Sequence, residues 1–440
     1  MSEPYRFQTV AVDGGLAAVS RVGARSVVGD SWLLCLAVVM FFGSGAVDQG
    51  FAQDPYQAAR QQMVEKYIAS AGVSDERVLQ AMGETPRHEF VPESLRDRAY
   101  FDMALPIGNA QTISSPFIVA LMTEALDPQP TDNVLEIGTG SGYQAAVLSS
   151  LVDRVYSIEI VRELGEQAAE VLERLEYENV FTRVGDGFLG WPEAAPFDKI
   201  IVTCSPESVP EPLVDQLREG GQIIIPVGER YQQTLYRITK KDGGLEREAL
   251  RPTLFVPMTG EAEETRVVKP DPQHPQVVNG GFEESATGSP LKPDFIPGWY
   301  YGRQVQRMEA TETQQRVPLG TAYVRFRNET PGLGSHLLQG IPIDGQTIAL
   351  LRLAGYVRIE DVRQGPNQES LPMIALSLYD QDRQELATFW LGPYRGTMPW
   401  RRFSRVIRIP AATREAILRI GLFGATGTAD FDQISIEKVD

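Results

Sequence analysis

Five residues that read as a short buried strand, Asn133-Val134-Leu135-Glu136-Ile137, run directly into Gly138-Thr139-Gly140-Ser141-Gly142, and a helical pattern follows through Leu151. No other feature restricts the fold of this chain as much. Strand, tight turn and helix in succession form the opening unit of a parallel α/β sheet, because a parallel neighbour is reached only through a crossover. Glycines let the backbone turn sharply and approach a ligand, while the helix N-terminus offers unpaired N–H groups. The dinucleotide fingerprint needs a third glycine at position 143, where Tyr143 stands, and there is no Gly-Lys-Ser/Thr, so a phosphate-gripping loop is excluded. Glu136 before the turn disfavours a polyphosphate but is tolerable beside a sulfonium and an amino group. Glu159, closing the next strand, is placed to accept hydrogen bonds from ribose hydroxyls. Asp186 with Gly187, after the third strand, can reach an adenine amino group. Together these residues point to S-adenosylmethionine.

The surroundings fit that unit. Helical spacing over 56–70, 74–83 and 162–176 alternates with strands at Val155–Glu159, Val180–Val184, Asp198–Thr203 and Gly221–Pro226. The expectation is a Rossmann-like class I S-adenosylmethionine-dependent methyltransferase sheet with flanking helices over 53–262. Residues 263–276, rich in Pro and charge, read as a linker. Beyond them helical periodicity fades, and Thr321–Arg327, Ile348–Ile359, Met373–Tyr379, Phe403–Ile409 and Ala416–Phe423 read as strands between turn residues. An all-β sandwich is expected over 277–440.

The formal charge of −17 argues against a nucleic-acid partner recognised through a basic field. Residues 1–270 hold 23 basic and 39 acidic residues, whereas 271–440 hold 18 and 19, as two different modules would. Cys35 and Cys204 are the only cysteines, and His88, His274 and His336 lie far apart, so no metal-ligand spacing exists. In the N-terminal 1–52, Arg21 and Arg25 precede an apolar run, Trp32–Phe42, of signal-peptide length, with Gly50-Phe51-Ala52 suited to cleavage before Gln53. Export to the periplasm or exterior, or an uncleaved anchor, is expected. The alternative is the cytoplasm, where S-adenosylmethionine is made.

Several separated motifs, in order, resemble the protein-L-isoaspartate O-methyltransferase family over about residues 78–260. They are Pro86-Arg87-His88-Glu89-Phe90-Val91-Pro92, Gln111-Thr112-Ile113-Ser114-Ser115-Pro116, the turn from Val134 to Gly142, and Val184-Gly185-Asp186-Gly187. Pro206 to Leu217, Gly220 to Gly228 and Phe255-Val256-Pro257-Met258-Thr259-Gly260 continue the likeness. Cys204 and Ser205 stand where the family usually has small alanines. The resemblance implies methyl transfer from S-adenosylmethionine to the free carboxylate of L-isoaspartyl residues in damaged proteins, starting repair through a succinimide. It implies Ser114 as the active-site residue. Gln111, Glu136, Gly138, Gly140, Gly142, Glu159, Asp186, Gly187 and Thr259 would hold the cofactor. Ile113 and Pro226, Val227 and Gly228 would line the substrate peptide, and no metal is implied.

Three residues have plainer alternatives: Ser114 as a helix cap, His88 as a structural histidine, Cys204 as a buried small hydrophobe. Asn279-Gly280-Gly281-Phe282-Glu283, Trp299 and Ala429-Asp430-Phe431-Asp432-Gln433-Ile434 resemble a carbohydrate-binding jelly roll. Trp299, Tyr300, Tyr301, Trp390, Tyr394 and Trp400 could stack on sugars or fill the core, and a protein ligand for this module is equally open. Two further readings stay open: a methyltransferase with another carboxylate acceptor, and an exported binding protein whose methyltransferase domain is inactive.

Overall fold

The computed structural model describes residues 54–285, 295–310 and 317–439. The expected export signal lies outside them. The chain enters through α1 (Gln57–Gln62), which continues as a π-helical turn to Ile68, and α2 (Glu76–Glu84), capped by the Asp75 side chain accepting from the Arg77 amide. A small hairpin follows, β1 (Leu105–Gly108) and β2 (Gln111–Ile113), and then α3 (Pro116–Leu126).

The main sheet is built from β3 (Asn133–Ile137), β4 (Arg154–Glu159), β5 (Val180–Val184), β6 (Phe197–Val202), β7 (Leu217–Glu229), β8 (Gln232–Lys241) and β9 (Gly244–Thr253). The helices α4 (Tyr143–Ser149) and α5 (Arg162–Arg174) cross between its first strands. The strand order is β5-β4-β3-β6-β7-β8-β9, parallel through β7 and antiparallel at β8 and β9. Every residue of β6 is buried, as a parallel strand covered on both faces requires. The chain moves outward from β3 to β4 and β5, then returns to β6 on the other side. That reversal opens a crevice at the carboxyl end of β3, where ligands of such sheets bind.

The C-terminal region holds β10 (Val305–Glu309), β11 (Ala322–Asn328), β12 (His336–Pro342), β13 (Leu350–Arg363), β14 (Met373–Tyr379), β15 (Glu385–Leu391), β16 (Gly396–Arg408), β17 (Glu415–Gly421) and β18 (Thr426–Lys438). They form two antiparallel sheets, β10-β11-β18-β13-β16 and β12-β17-β14-β15. Val324, Phe326, Val357 and Phe431 of one join Leu337, Ile374, Leu376 and Leu418 of the other in a single core. The expected all-β sandwich is therefore present.

The stretch after Gly260 is not a free tether. It opens with a helical turn, Glu261–Glu264, and the buried Arg266 donates to the carbonyls of Gly228 and Ser205, each at 3.0 Å. The sandwich packs directly on the methyltransferase side, so residues from Asp54 onward form one compact unit. There the Tyr231 hydroxyl donates to Glu415 at 3.0 Å, and the Tyr300 hydroxyl donates to the Tyr231 carbonyl.

Leu135 lies fully buried in the middle of β3. Leu135→Ala should lower the unfolding free energy by about 3 kcal/mol, measured by urea denaturation; a loss below about 1 kcal/mol would mean the site collapses around the void.

Candidate functional site

A cleft opens at the carboxyl ends of β3 and β4, lined by Gln111, Gly138, Gly140, Glu159, Gly187 and Thr259 together with Ile160, Thr203, Cys204 and Met258. Gly138 has φ +96°, and a Cβ there would stand 2.5 Å from the Thr203 hydroxyl, which donates to the Gly138 carbonyl at 2.7 Å. A Cβ at Gly187 would meet Ile137 at 2.4 Å, so the loop after β5 lies hard against the end of β3. Glu159 is buried. Its Oε2 accepts from the Gly140 amide at 2.7 Å and its Oε1 from the Val161 amide at 2.9 Å. Each oxygen keeps a lone pair for a ribose hydroxyl. Burial raises this carboxyl above its ordinary pKa, against the two amide bonds.

A second compartment adjoins the first and shares Thr112, Gly138, Gly140 and Thr203 with it. Ile113 and Ser114 line it, with Met122, Tyr143 and Gln144. The Ser114 carbonyl accepts from Arg87 Nη2 at 2.6 Å. Arg87 is wholly buried, donates from Nε to the Ala99 carbonyl and lies 4.7 Å over the Tyr143 ring. Ser114 is not the cap of α3. Ser115 occupies that position, and the Phe117 amide is taken instead by Asp102 Oδ1 at 2.9 Å.

The structure displaces four groups of expected contacts. Glu136 is fully buried beneath the turn rather than in the cleft lining. It accepts from Ser157, whose hydroxyl shares a 2.6 Å hydrogen bond with Thr139, so Glu136 braces the turn from below. Burial pushes its carboxyl up to about 8. Gly142 also lies off the cleft: it precedes α4 and faces Leu172. Asp186 stands outside the lining, with one oxygen accepting from the Phe188 amide and the other from the Glu261 amide. Pro226, Val227 and Gly228 belong to neither compartment, because β8 pairs with them through Leu235, Thr234 and Gln233. The Gly228 amide and carbonyl are occupied by Pro206 and Arg266.

His88 is structural: its Nδ1 shares a 2.7 Å hydrogen bond with Tyr100 and its ring stacks on Tyr56 at 4.1 Å. Cys204, read as a buried small hydrophobe, packs half-buried against the core of the sheet and also lines the cleft, with its thiol pushed up by burial and so held protonated. Thr203, Cys204 and Ile160 directly follow strand ends, a positional signal that could have marked them. Among the described residues no group of acidic, histidine and cysteine side chains could hold a metal. In the sandwich, Trp299 is 1% exposed and donates from Nε1 to the Asn279 carbonyl, and Tyr300 and Tyr394 are buried too. Of the six aromatics considered for sugar stacking, only Trp390, 45% exposed, stands out on the surface.

A parallel sheet reversing at β3, a glycine turn there and an acidic residue closing β4 define a class I S-adenosylmethionine-dependent methyltransferase. The family model "Protein-L-isoaspartate(D-aspartate) O-methyltransferase (PCMT)" matches residues 58–263. The protein-L-isoaspartate O-methyltransferase of Opitutus terrae is 52% identical over 217 residues, 48% of this chain and 93% of that one. Protein-L-isoaspartate O-methyltransferase 1 of Syntrophobacter fumaroxidans is 49% identical over 47% of this chain and 96% of its own length. A Plasmodium falciparum structure in complex with S-adenosyl-L-homocysteine is 27% identical, with a TM-score of 0.41 over 46% of this chain and 98% of that one. The chain belongs to the protein-L-isoaspartate O-methyltransferase family.

Gly138→Ala should weaken S-adenosylmethionine binding roughly tenfold or more by calorimetry, since the new methyl must displace Thr203 at a left-handed φ. Unchanged affinity would show that the turn adapts. Glu136 stays protonated in the fold well above the 4.5 of a free carboxyl. Its contribution to stability is therefore complete below about 4.5 and lost as pH rises through about 8. Melting curves should show Glu136→Gln gaining on the parent as pH rises from about 5 to about 8.5, and parallel curves would refute this.

Proposed function

We propose that this chain methylates the free carboxylate of L-isoaspartyl residues in proteins and peptides, with S-adenosylmethionine as methyl donor. The observation that carries this is the pair of compartments meeting at Thr112, Gly138, Gly140 and Thr203, one holding the glycine turn and Glu159, the other Ser114. A carboxylate oxygen attacks the methyl carbon, the carbon–sulfur bond breaks, and anion and sulfonium become ester and thioether. The nucleophile is already ionised near neutral pH, so no general base is needed. Alignment and the electrostatics around the vanishing charges supply the rate. Ser114, whose hydroxyl has no protein partner among the described residues, orients the carboxylate. Glu159 and the Gly138–Gly140 backbone hold the donor, with Gln111, Gly187 and Thr259 alongside. The ester then closes to a succinimide and reopens, in part as normal aspartate.

For the second module, the strand orders β11-β18-β13-β16 and β12-β17-β14-β15 support a jelly roll. The buried Trp299, Tyr300 and Tyr394 favour a packing role over a sugar platform. The Arg21, Arg25 and Trp32–Phe42 pattern supports export, which cell fractionation would decide.

Labelled S-adenosylmethionine should mark an isoaspartyl peptide and spare its aspartyl twin. Ser114→Ala should lose roughly ten- to hundredfold in kcat/KM with cofactor affinity unchanged. Labelling of both peptides alike would point to another acceptor, and equal loss of turnover and cofactor binding would make Ser114 structural.

A further inference from the structure

We propose that Arg303, supplied by the β-sandwich segment before β10, is a positioning residue for the Ser114 loop; the inference rests on the reading of Ser114 given above. Ser114 and Ser115 join β2 to α3, which opens with Pro116, and the first free amide of that helix is that of Phe117. A capping serine would ordinarily take it, but Ser115 makes no such bond and Asp102 Oδ1 accepts instead, at 2.9 Å. A carboxylate suits a helix N-terminus. Its other oxygen is held by Arg303 Nη1 at 2.8 Å, with side-chain exposures of 14% for Arg303 and 11% for Asp102. So little solvent leaves the pair weakly screened, and removing one partner strands the other.

The same guanidinium lies 4.0 Å over the Phe117 ring. Its Nε and Nη2 are buried with no hydrogen-bond acceptor among the described residues, as stacking on an aromatic face allows. Arg303 thus grips both the cap of α3 and the side chain of the residue that is capped. Tyr301, from the same segment, packs against the methyltransferase core. The segment is fixed in turn by a bridge between Gly302 and His336 of β12. Arg87 holds the same loop through the Ser114 carbonyl. The loop is held by a methyltransferase arginine and by a sandwich arginine, and displacement of such a loop is felt at the reacting atoms rather than in the cofactor cleft.

The full chain is assayed with the isoaspartyl peptide as Arg303→Ala, Arg303→Lys, Ser114→Ala and the Arg303→Ala/Ser114→Ala double variant. Arg303→Ala should lose roughly tenfold or more in kcat/KM for the peptide while calorimetric S-adenosylmethionine affinity stays within about twofold. Arg303→Lys should recover part of the loss by keeping the charge on Asp102. The double variant should be no worse than Ser114→Ala alone, because both changes act through one loop. Additive losses, or joint loss of peptide turnover and cofactor affinity, would overturn the inference. If Arg303→Ala does not fold, Asp102→Asn retains an oxygen for the Phe117 amide, removes the ion pair, and carries the same expectations. An inactive Ser114→Ala beside an unimpaired Arg303→Ala sinks this inference alone. A fully active Ser114→Ala sinks the reading on which it rests, and this inference with it.

Discussion

The rest of the site depends on how the turn after β3 hangs from the end of β4. The amides of Gly138 and Thr139 both donate to the Ile158 carbonyl, at 2.8 and 3.2 Å, and the Gly140 amide donates to the Glu159 carboxylate. Donors that a sharp turn would leave unpaired are satisfied by the neighbouring strand. From the other side, Thr203 at the end of β6 donates to Ile137 and Gly138. Three strand ends therefore fix one turn. The same geometry places Glu159 at the wall of the cleft and brings Gly140 to the boundary with the Ser114 compartment.

Much of this was legible because parallel strands covered on both faces are rich in apolar residues. Val134-Leu135 and Ile200-Ile201-Val202 stand out against any helical pattern, and residues just beyond such strands fall at the crevice by topology. β8 and β15, which the sequence pattern does not mark, are half-exposed: Gln, Thr, Lys and Glu alternate with apolar residues there, and the buried positions are few. The resemblance implies that Pro226–Gly228 line the peptide; in the structure β8 pairs with these residues and Arg266 donates to the Gly228 carbonyl. Sequence places a strand residue beside a turn but does not say which face it takes, and here Glu136 faces Ser157 below the turn.

The aromatics of the sandwich carry the same lesson. A tryptophan or tyrosine at a turn is compatible with a sugar platform and with a core plug, and spacing alone does not separate them. Burial does. Trp299 stacks near Phe282 and closes the sandwich core, while Tyr300 turns its hydroxyl toward the β7–β8 connection.

That contact bears on what the sandwich is for. Glu415, buried at the start of β17, accepts from Tyr231 of the methyltransferase side and pairs with Arg383 at 3.0 Å within the sandwich. Burial, and next the negative charge of Glu415, raise the Tyr231 phenol above its ordinary pKa, so it remains a donor throughout the physiological range. The Asp102–Arg303 pair makes a second junction, between the segment before β1 and the segment before β10. Two largely buried anchors on separate elements resist swinging of one domain against the other, since a hinge motion would separate the Asp102–Arg303 charges and break the Tyr231–Glu415 hydrogen bond. A domain joined in this way differs from a tethered binding module, whose linker lets it search.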